Sequence, residues 1–311
     1  MITKYGIKYT IGAFLKRGPI AFKRRIHNVL LGVTYDCQCD CLHCAMAGQS
    51  NKGKELSTGE IKKLVDDLFR LNVRIIEFFG GEPLLREDIF DLIKHTSKKM
   101  LVHLATNGIL LSEENIKKLK DSGLTILQVS IDKPNEAEHD GFRRTKCFTN
   151  AVNGLELAKK YDIPVRLLSV YVSQKSLLNG DVEKMISMGK KLGVTNVKLL
   201  KSVCSGKLLN EASSFSPESE KKLEYLTKDP FVLLESSGCL AIRRKGFYIS
   251  PYGNVQPCCF IPLAFGNVRE KPIGKIVDMM WSDDIFNVKI EKNNCMMNNV
   301  KFRKMYFKRK Y

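Results

Sequence analysis

The sequence predicts an α/β fold of parallel βαβ units, followed by a smaller β-rich region that carries cysteines. Three observations lead there. Six short apolar runs rich in β-branched residues alternate with helical patterns up to about residue 205. Strand–helix alternation at that spacing means parallel strands joined by crossover helices. Beyond that point the rhythm changes and cysteines recur.

The strand-like runs are "NVLLGVT" (28–34), "VRIIEFF" (73–79), "MLVHLAT" (100–106), "LTILQVSI" (124–131), "IPVRLLSVYV" (163–172) and "VTNVKLL" (194–200). Between the first two, "STGEIKKLVDDLFRL" opens with Ser57 and Glu60 at capping-box spacing. Its Ile61, Leu64, Val65, Leu68 and Leu71 share one helical face. The intervals 86–98, 112–122, 147–161 and 179–192 also read as helices. This pattern fits an open doubly wound sheet as well as a partial barrel. In both, ligands sit at the C-terminal ends of the strands. Further on, "SPESEKKLEYLTKD" is one more helix, and "KGFYISPYGNVQPCC" reads as a hairpin around a Pro-Tyr-Gly-Asn turn. A boundary falls near residue 230. The expected organisation is a basic amphipathic segment (1–27), the βα body (28–230), a cysteine-bearing extension (231–299) and a basic tail (300–311).

Composition narrows the class. With 311 residues, 44% hydrophobic and 27% charged, the chain can bury a sizeable core as a soluble protein. No run approaches 18 apolar residues, and no compact apolar stretch precedes a small-residue cleavage site, so a cytoplasmic protein is expected. Ten cysteines in a reducing compartment point to metal ligands or catalytic groups rather than a disulfide framework. The net charge of +18 is concentrated at the ends, with seven Lys/Arg in residues 1–35, six in 300–311, and no acid in either. Ile7, Ile11, Phe14 and Leu15 share a face of the N-terminal segment, and aromatics interleave with bases in the tail. Such ends suit contact with an anionic membrane surface, or a solvated cap under the barrel with a loose tail.

"YDCQCDCLHCA" (35–45) places Cys37, Cys39, Cys41 and Cys44 in the loop after the first strand. Iron–sulfur clusters are held by thiolates on short loops, and Cys37, Cys41 and Cys44 give C-x3-C-x2-C. Three ligands on a four-iron cube leave one iron open. The competing reading is an all-cysteine zinc site in a nucleic-acid-binding module that uses the basic ends.

The cysteine stretch resembles the signature of the radical S-adenosylmethionine (radical SAM) enzymes, C-x3-C-x-Φ-C, with His43 in the aromatic place. The resemblance implies that Cys37, Cys41 and Cys44 hold a [4Fe-4S] cluster whose open iron is chelated by SAM, with His43 near the adenine. Cys39 belongs to no position of that signature. "GGEP" (Gly80, Gly81, Glu82, Pro83) follows the second strand and resembles the loop that holds the SAM amino group, with Glu82 as a charge partner. "ATNG" (105–108), with Asn107, resembles the "TNG" at the third strand's end. "VSIDKPNEAEHDGFRR" (129–144) resembles the "SxD … HDxxR" run, which implies Ser130 and Asp132 at the ribose and Arg143 at the SAM carboxylate. The family fold is a partial (β/α)6 TIM-like barrel. Its chemistry is reductive cleavage of SAM, with an electron from a ferredoxin- or flavodoxin-like donor, to a 5′-deoxyadenosyl radical that takes hydrogen from substrate.

Cys239, Gly253 and Cys258 give C-x13-G-x4-C, which resembles the opening of the SPASM and twitch extensions that hold auxiliary iron–sulfur clusters. The cysteines beyond residue 230 are Cys239, Cys258, Cys259 and Cys295, enough for one further [4Fe-4S] cluster, as in the shorter twitch type. Cys239, Cys258 and Cys295 are the expected ligands. The fourth stays open among Cys259, Cys204, a non-cysteine group and the substrate, because the adjacent Cys258 and Cys259 diverge. Cys147 reads as core. The resemblance implies a peptide or protein substrate, with a small metabolite, cofactor precursor or membrane lipid as the alternative, and no nucleic-acid partner.

Overall fold

The computed structural model describes residues 26–47, 49, 53–209, 215–235, 239–287 and 295–307. The amphipathic face expected in residues 1–25 and the final bases at 308–311 lie outside the described residues.

Ten strands form one sheet: β1 (Asn28–Thr34), β2 (Ile75–Gly80), β3 (Leu101–Thr106), β4 (Ile126–Ser130), β5 (Val165–Val172), β6 (Asn196–Lys201), β7 (Val232–Leu234), β8 (Gly246–Ile249), β9 (Asn254–Gln256) and β10 (Gly266–Asn267). Their order is β10-β9-β8-β1-β2-β3-β4-β5-β6-β7. From β1 to β7 every pairing is parallel. This is the sheet of a partial TIM barrel, with an antiparallel extension at its β1 side. The extension is joined in a way the hairpin pattern did not reveal. Strand β8 pairs parallel with β1, from Asn28↔Gly246 to Leu31↔Ile249, so the β8–β9 hairpin continues the barrel sheet.

Helices α1 (Thr58–Arg70), α2 (Ile89–Ser97), α3 (Glu113–Asp121), α4 (Glu136–Arg143), α5 (Phe148–Lys160), α6 (Gln174–Leu178) and α7 (Asp181–Leu192) fall between the barrel strands. They are followed by α8 (Pro217–Leu226), α9 (Ile273–Trp281) and α10 (Val300–Phe307). Helix α1 starts at the Ser57–Glu60 capping box, and its Ile61, Leu64, Val65 and Leu68 are buried. That apolar face packs on the barrel's outside, joined in one core with Val29, Leu31, Ile76, Phe78, Val102 and Leu104. Helices α4 and α6, not read from periodicity, are short and sit within the loops above β4 and β5. Among the described residues no helix is long and apolar enough to cross a membrane.

Close backbone contact fixes the top of β1 against that of β2. Gly81 N–H donates to Thr34 O (2.8 Å) and Glu82 N–H to Asp36 O (2.8 Å). A Cβ on Gly80 would lie 2.2 Å from Thr34 O, and one on Gly81 would lie 2.2 Å from Asp36 O. Gly80 also has φ +143°, a backbone state that side chains resist. Both glycines are therefore required where the chain enters the cysteine loop. Gly81→Ala is expected to destabilise the cofactor-free chain by about 1–3 kcal/mol, the usual cost of forcing atoms into a packed site. Denaturant unfolding checks this; an unchanged midpoint would show that the loop can retreat.

Candidate active site

The cysteine loop lies over the C-terminal ends of the strands and is held mainly by backbone groups. Asp40 N–H donates to Arg143 O (3.2 Å) and Leu42 N–H to Phe142 O (3.1 Å), both from the end of α4. Thr145 Oγ1 donates to Gln38 O (2.9 Å). Asn107 Nδ2 donates to Gln38 Oε1 (3.1 Å) and lies 3.7 Å from Cys37 Sγ. A loop rich in polar residues thus has its carbonyls and amides engaged from three sides.

The Cys37 thiol is held down at about 6 by hydrogen bonds from the Cys39 thiol, the Cys39 N–H and the Asn107 amide, against the opposing effect of burial. Low thiol pKa favours the thiolate, the form that binds metal. The thiols of Cys41 and Cys44 are raised, the first by its contact with Cys39 and the second by burial. Cys39 is not isolated. Its thiol contacts those of Cys147, Cys37 and Cys41. Cys147 is buried, and its Sγ lies 3.3 Å from His139 Nε2. Because His139 Nδ1 accepts from Asp132 N–H (3.0 Å), the proton sits on Nε2 and donates to the sulfur.

His43 stacks on Phe142 at 4.8 Å with 9° between the planes, and Tyr171 lies 4.7 Å away on a tilt. Burial depresses the imidazole to about 4, so it is neutral near pH 7. Its Nδ1 is buried with no hydrogen-bond partner among the described residues. Phe142 and Tyr171 were not read from the sequence. Phe142 precedes Arg143 inside the quoted motif, and Tyr171 ends an apolar run; neither carries a signal of its own.

The charged groups expected at the ligand have protein partners as well. Glu82, expected as a charge partner, is fully buried. Its carboxylate accepts from Leu84 N–H (3.1 Å), Thr106 Oγ1 (2.8 Å) and Asn107 N–H (2.7 Å). Burial pushes it up to about 7, and these donors limit the rise. It braces the β2 loop against β3, and what the loop offers a ligand is backbone. Asp132 is likewise engaged: its Oδ2 accepts from Arg143 Nε (2.9 Å) and Nη2 (2.7 Å), and its Oδ1 from Tyr171 N–H (2.9 Å). Asp132 and Arg143 thus hold each other, with Asn107 buried and Ser130 half-buried nearby at the ends of β3 and β4.

Below this mouth the barrel is polar. Asn28, Glu77, His103, Gln128, Ser169 and Lys198 come one from each of β1 to β6. Glu77 Oε2 lies 3.2 Å from His103 Nδ1 and 3.4 Å from Asn28 Nδ2. Lys198 Nζ donates to Gln128 Oε1 (3.1 Å) and pairs with Glu235 (2.6 Å). Ser169 is in register with Lys198 and so shares its face. Gln256 reaches the same face through Tyr248, Leu30 and Glu77 in register. Burial would raise the Glu77 carboxyl, but His103 and Lys198 hold it down at about 2. Four buried atoms of this belt, Asn28 Oδ1, His103 Nε2, Ser169 Oγ and Gln256 Oε1, have no hydrogen-bond partner among the described residues. The signal was present in the sequence as polar residues within or at the head of the apolar runs.

The second cysteine set lies beside the barrel. Cys258 is half-buried, with Cys259, Cys295 and Cys239 near it, and burial raises its thiol well above its ordinary value. Burial and the neighbouring Cys239 raise Cys295 to about 12. Cys259 is buried, and after burial itself the carboxylates of Glu77 and Glu235, and then Cys295, raise its thiol. A tetrahedral zinc with Zn–S of about 2.3 Å needs sulfurs about 3.8 Å apart. Among the described residues neither set gathers three thiols within 4.8 Å; the one such group of donors is His139, Asp140 and Cys147. The low Cys37 thiol and the unpartnered His43 Nδ1 fit a cluster with a ligand beside it.

The sequence model of the Radical SAM superfamily matches residues 31–188, and that of the SPASM iron–sulfur cluster-binding domain matches residues 239–299. An AdoMet-dependent heme synthase of Methanosarcina barkeri is 29% identical over 284 residues, covering 78% of this chain and 80% of that protein. A PqqA peptide cyclase of Bradyrhizobium diazoefficiens is 31% identical over 255 residues, covering 74% and 66%. Among solved structures, Streptococcus suis SuiB bound to its precursor peptide SuiA superposes with a TM-score of 0.66 at 11% identity, covering 91% of this chain and 70% of that one. This last likeness concerns the fold. Members of the superfamily use a [4Fe-4S] cluster and SAM, and SPASM domains bind auxiliary iron–sulfur clusters. With its cysteine loop, its βα barrel and its cysteine-bearing extension, the chain belongs to the radical SAM superfamily and is an enzyme of its SPASM-containing branch.

Proposed function

We propose that the chain cleaves SAM reductively and directs the resulting 5′-deoxyadenosyl radical at a peptide or protein substrate seated in the barrel. The observation that carries the substrate class is the polar belt. A TIM-barrel interior is ordinarily filled with branched apolar side chains. Here the unpartnered amide oxygens of Asn28 and Gln256 can only accept, the Ser169 hydroxyl can accept as well, and the Glu77 and Glu235 carboxylates stand beside His103 and Lys198. Such a lining suits the N–H and O–H donors of a peptide and opposes a ligand rich in carboxylates. The PqqA peptide cyclase relative is consistent with this reading. The heme synthase relative supports the competing one, in which a small cofactor precursor is the substrate.

In this reading Cys37, Cys41 and Cys44 hold the SAM-binding cluster, which supplies one-electron cleavage of SAM. His43, neutral and stacked on Phe142 with Tyr171 against both rings, offers Nδ1 to the adenine. Gly80 and Gly81 bring backbone against the ligand's amino group. The Asp132–Arg143 pair lines the ribose and carboxylate side with Ser130 and Asn107. Cys239, Cys258 and Cys295 hold an auxiliary cluster. The chain's own task is to seat the target hydrogen and exclude water and oxygen. A ferredoxin- or flavodoxin-like protein is the proposed electron donor.

Anaerobically reconstituted enzyme with SAM, dithionite and a candidate precursor peptide encoded beside the gene is expected to change the peptide's mass as 5′-deoxyadenosine forms. If iron-coproporphyrin stimulates 5′-deoxyadenosine formation and peptides do not, the peptide reading is wrong. Alanine at Cys37, Cys41 or Cys44 should abolish SAM cleavage, and Cys39→Ala should keep most of it. A dead Cys39→Ala beside an active Cys41→Ala would overturn the ligand assignment. Iron analysis should give about eight per chain, on cube stoichiometry for two clusters. Replacing Cys239 and Cys258 together should lower it to about four while SAM cleavage survives. Ser169→Ala, which removes one hydrogen-bonding group from the belt, should raise the peptide KM several-fold to about tenfold. An unaltered KM would move the substrate out of the lumen.

A further inference from the structure

The loop after β6, residues 202–209, runs between the two cysteine sets and touches both. On one side it meets the primary cysteine loop. Lys207 N–H donates to Cys44 O (3.3 Å), and Lys207 Nζ donates to Asp40 O (2.9 Å) and pairs with the Asp40 carboxylate. A Cβ on Gly206, at φ +53°, would lie 2.1 Å from Cys44 O, so the contact is backbone on backbone.

On the other side the same loop meets the extension. Cys204 N–H donates to Asn298 Oδ1 (3.0 Å), and Asn298 Nδ2 donates to Ser202 O (3.2 Å). Asn298 N–H donates to Cys295 O (3.0 Å). One asparagine therefore clamps the Cys204 backbone to the turn that carries Cys295. Cys204 is 1% exposed. Its neighbour Val203 packs with Cys258 and Cys295 against the same small apolar cluster. The Cys295 thiol has those of Cys239 and Cys204 beside it.

We propose that Cys204, carried on the barrel's own loop, is the fourth thiolate of the auxiliary cluster, with Cys239, Cys258 and Cys295. Cys204 lies outside residues 239–299, the stretch matched by the cluster-binding domain. Cys259 is the competing thiol. It is adjacent to Cys258, and the side chains of neighbouring residues diverge, so the two thiols reach one cube poorly. With Cys204 as a ligand, the auxiliary cluster is fastened to the barrel as well as to the extension, and a single loop of eight residues spans the two cluster sites.

The proposal rests on the reading that the extension holds a cluster, and the test separates the two. In a full-length chain with Cys37, Cys41 and Cys44 all replaced by Ala, any cluster present is the auxiliary one. Anaerobic reconstitution should leave about four irons per chain on cube stoichiometry, with an EPR signal after dithionite reduction. No iron in that background would end the auxiliary-cluster reading itself. Adding Cys204→Ala should remove most of the iron or shift the EPR signal, whereas adding Cys259→Ala should change neither. Cys204→Ser, with an oxygen of similar size in place, should shift the signal even where iron is retained. In the otherwise natural chain Cys204→Ser should keep the primary cluster's irons and SAM binding, which verifies folding. Iron content and EPR spectra that stay the same in both Cys204 variants would overturn the proposal, as would a loss confined to Cys259→Ala.

Discussion

The buried pair of Asp132 and Arg143 holds the mouth of the barrel together. Asp132 follows β4, Arg143 ends α4, and the second carboxylate oxygen takes the Tyr171 N–H from β5. The carbonyls of Phe142 and Arg143, at that same helix end, receive the amides of the cysteine loop. Burial would raise the Asp132 carboxyl, but Arg143 holds it down at about 2. Its contribution is therefore present above the unfolded carboxylate range and fades as pH falls toward 2. Removing either partner would strand a buried charge, a loss of about 3–5 kcal/mol in comparable pairs. Three elements and the cysteine loop are tied to one carboxylate.

That tie explains why the motif residues are buried rather than displayed. Glu82, Asp132 and Arg143 look in sequence like groups that reach for a ligand. Their side chains also hold the backbone and rings around the mouth in place. The surfaces left at the mouth are thiols, a stacked neutral imidazole and glycine backbone. These suit chemistry in which the cofactor supplies reactivity and the chain supplies position.

The six barrel strands were legible because each run is apolar, β-branched and flanked by turn residues, and all six fall where the runs predict. The Ser57–Glu60 box was legible because it is local. The pairing of β8 with β1 was not, since register between strands more than 200 residues apart has no local signature. The cysteine triad was legible from spacing, but the cage around His43 was not. Phe142 and Tyr171 meet it only through the fold, across about 100 and 130 residues of chain. The polar belt lay in plain view as Glu77, His103, Gln128, Ser169 and Lys198 inside apolar runs. What sequence could not supply was that five separate interruptions fall at one depth of the barrel.

Depth is what joins the belt to the extension. The extension is not a bead beside the barrel: β8 lengthens the sheet at β1, Tyr248 of β8 is in register with Leu30, and Gln256 of β9 is in register with Tyr248. In the next turn the buried Cys259 lies within electrostatic reach of Glu77 and Glu235. At the far side of the opening, the β6 loop reaches back to both cysteine sets. The extension therefore contributes lumen wall as well as cysteines. The hairpin also touches the segment that carries the first cysteines: Gln49 Nε2 donates to Cys259 O (2.8 Å) and Tyr248 OH to Tyr35 OH (3.2 Å), so a change in the hairpin reaches the lumen wall and that segment together.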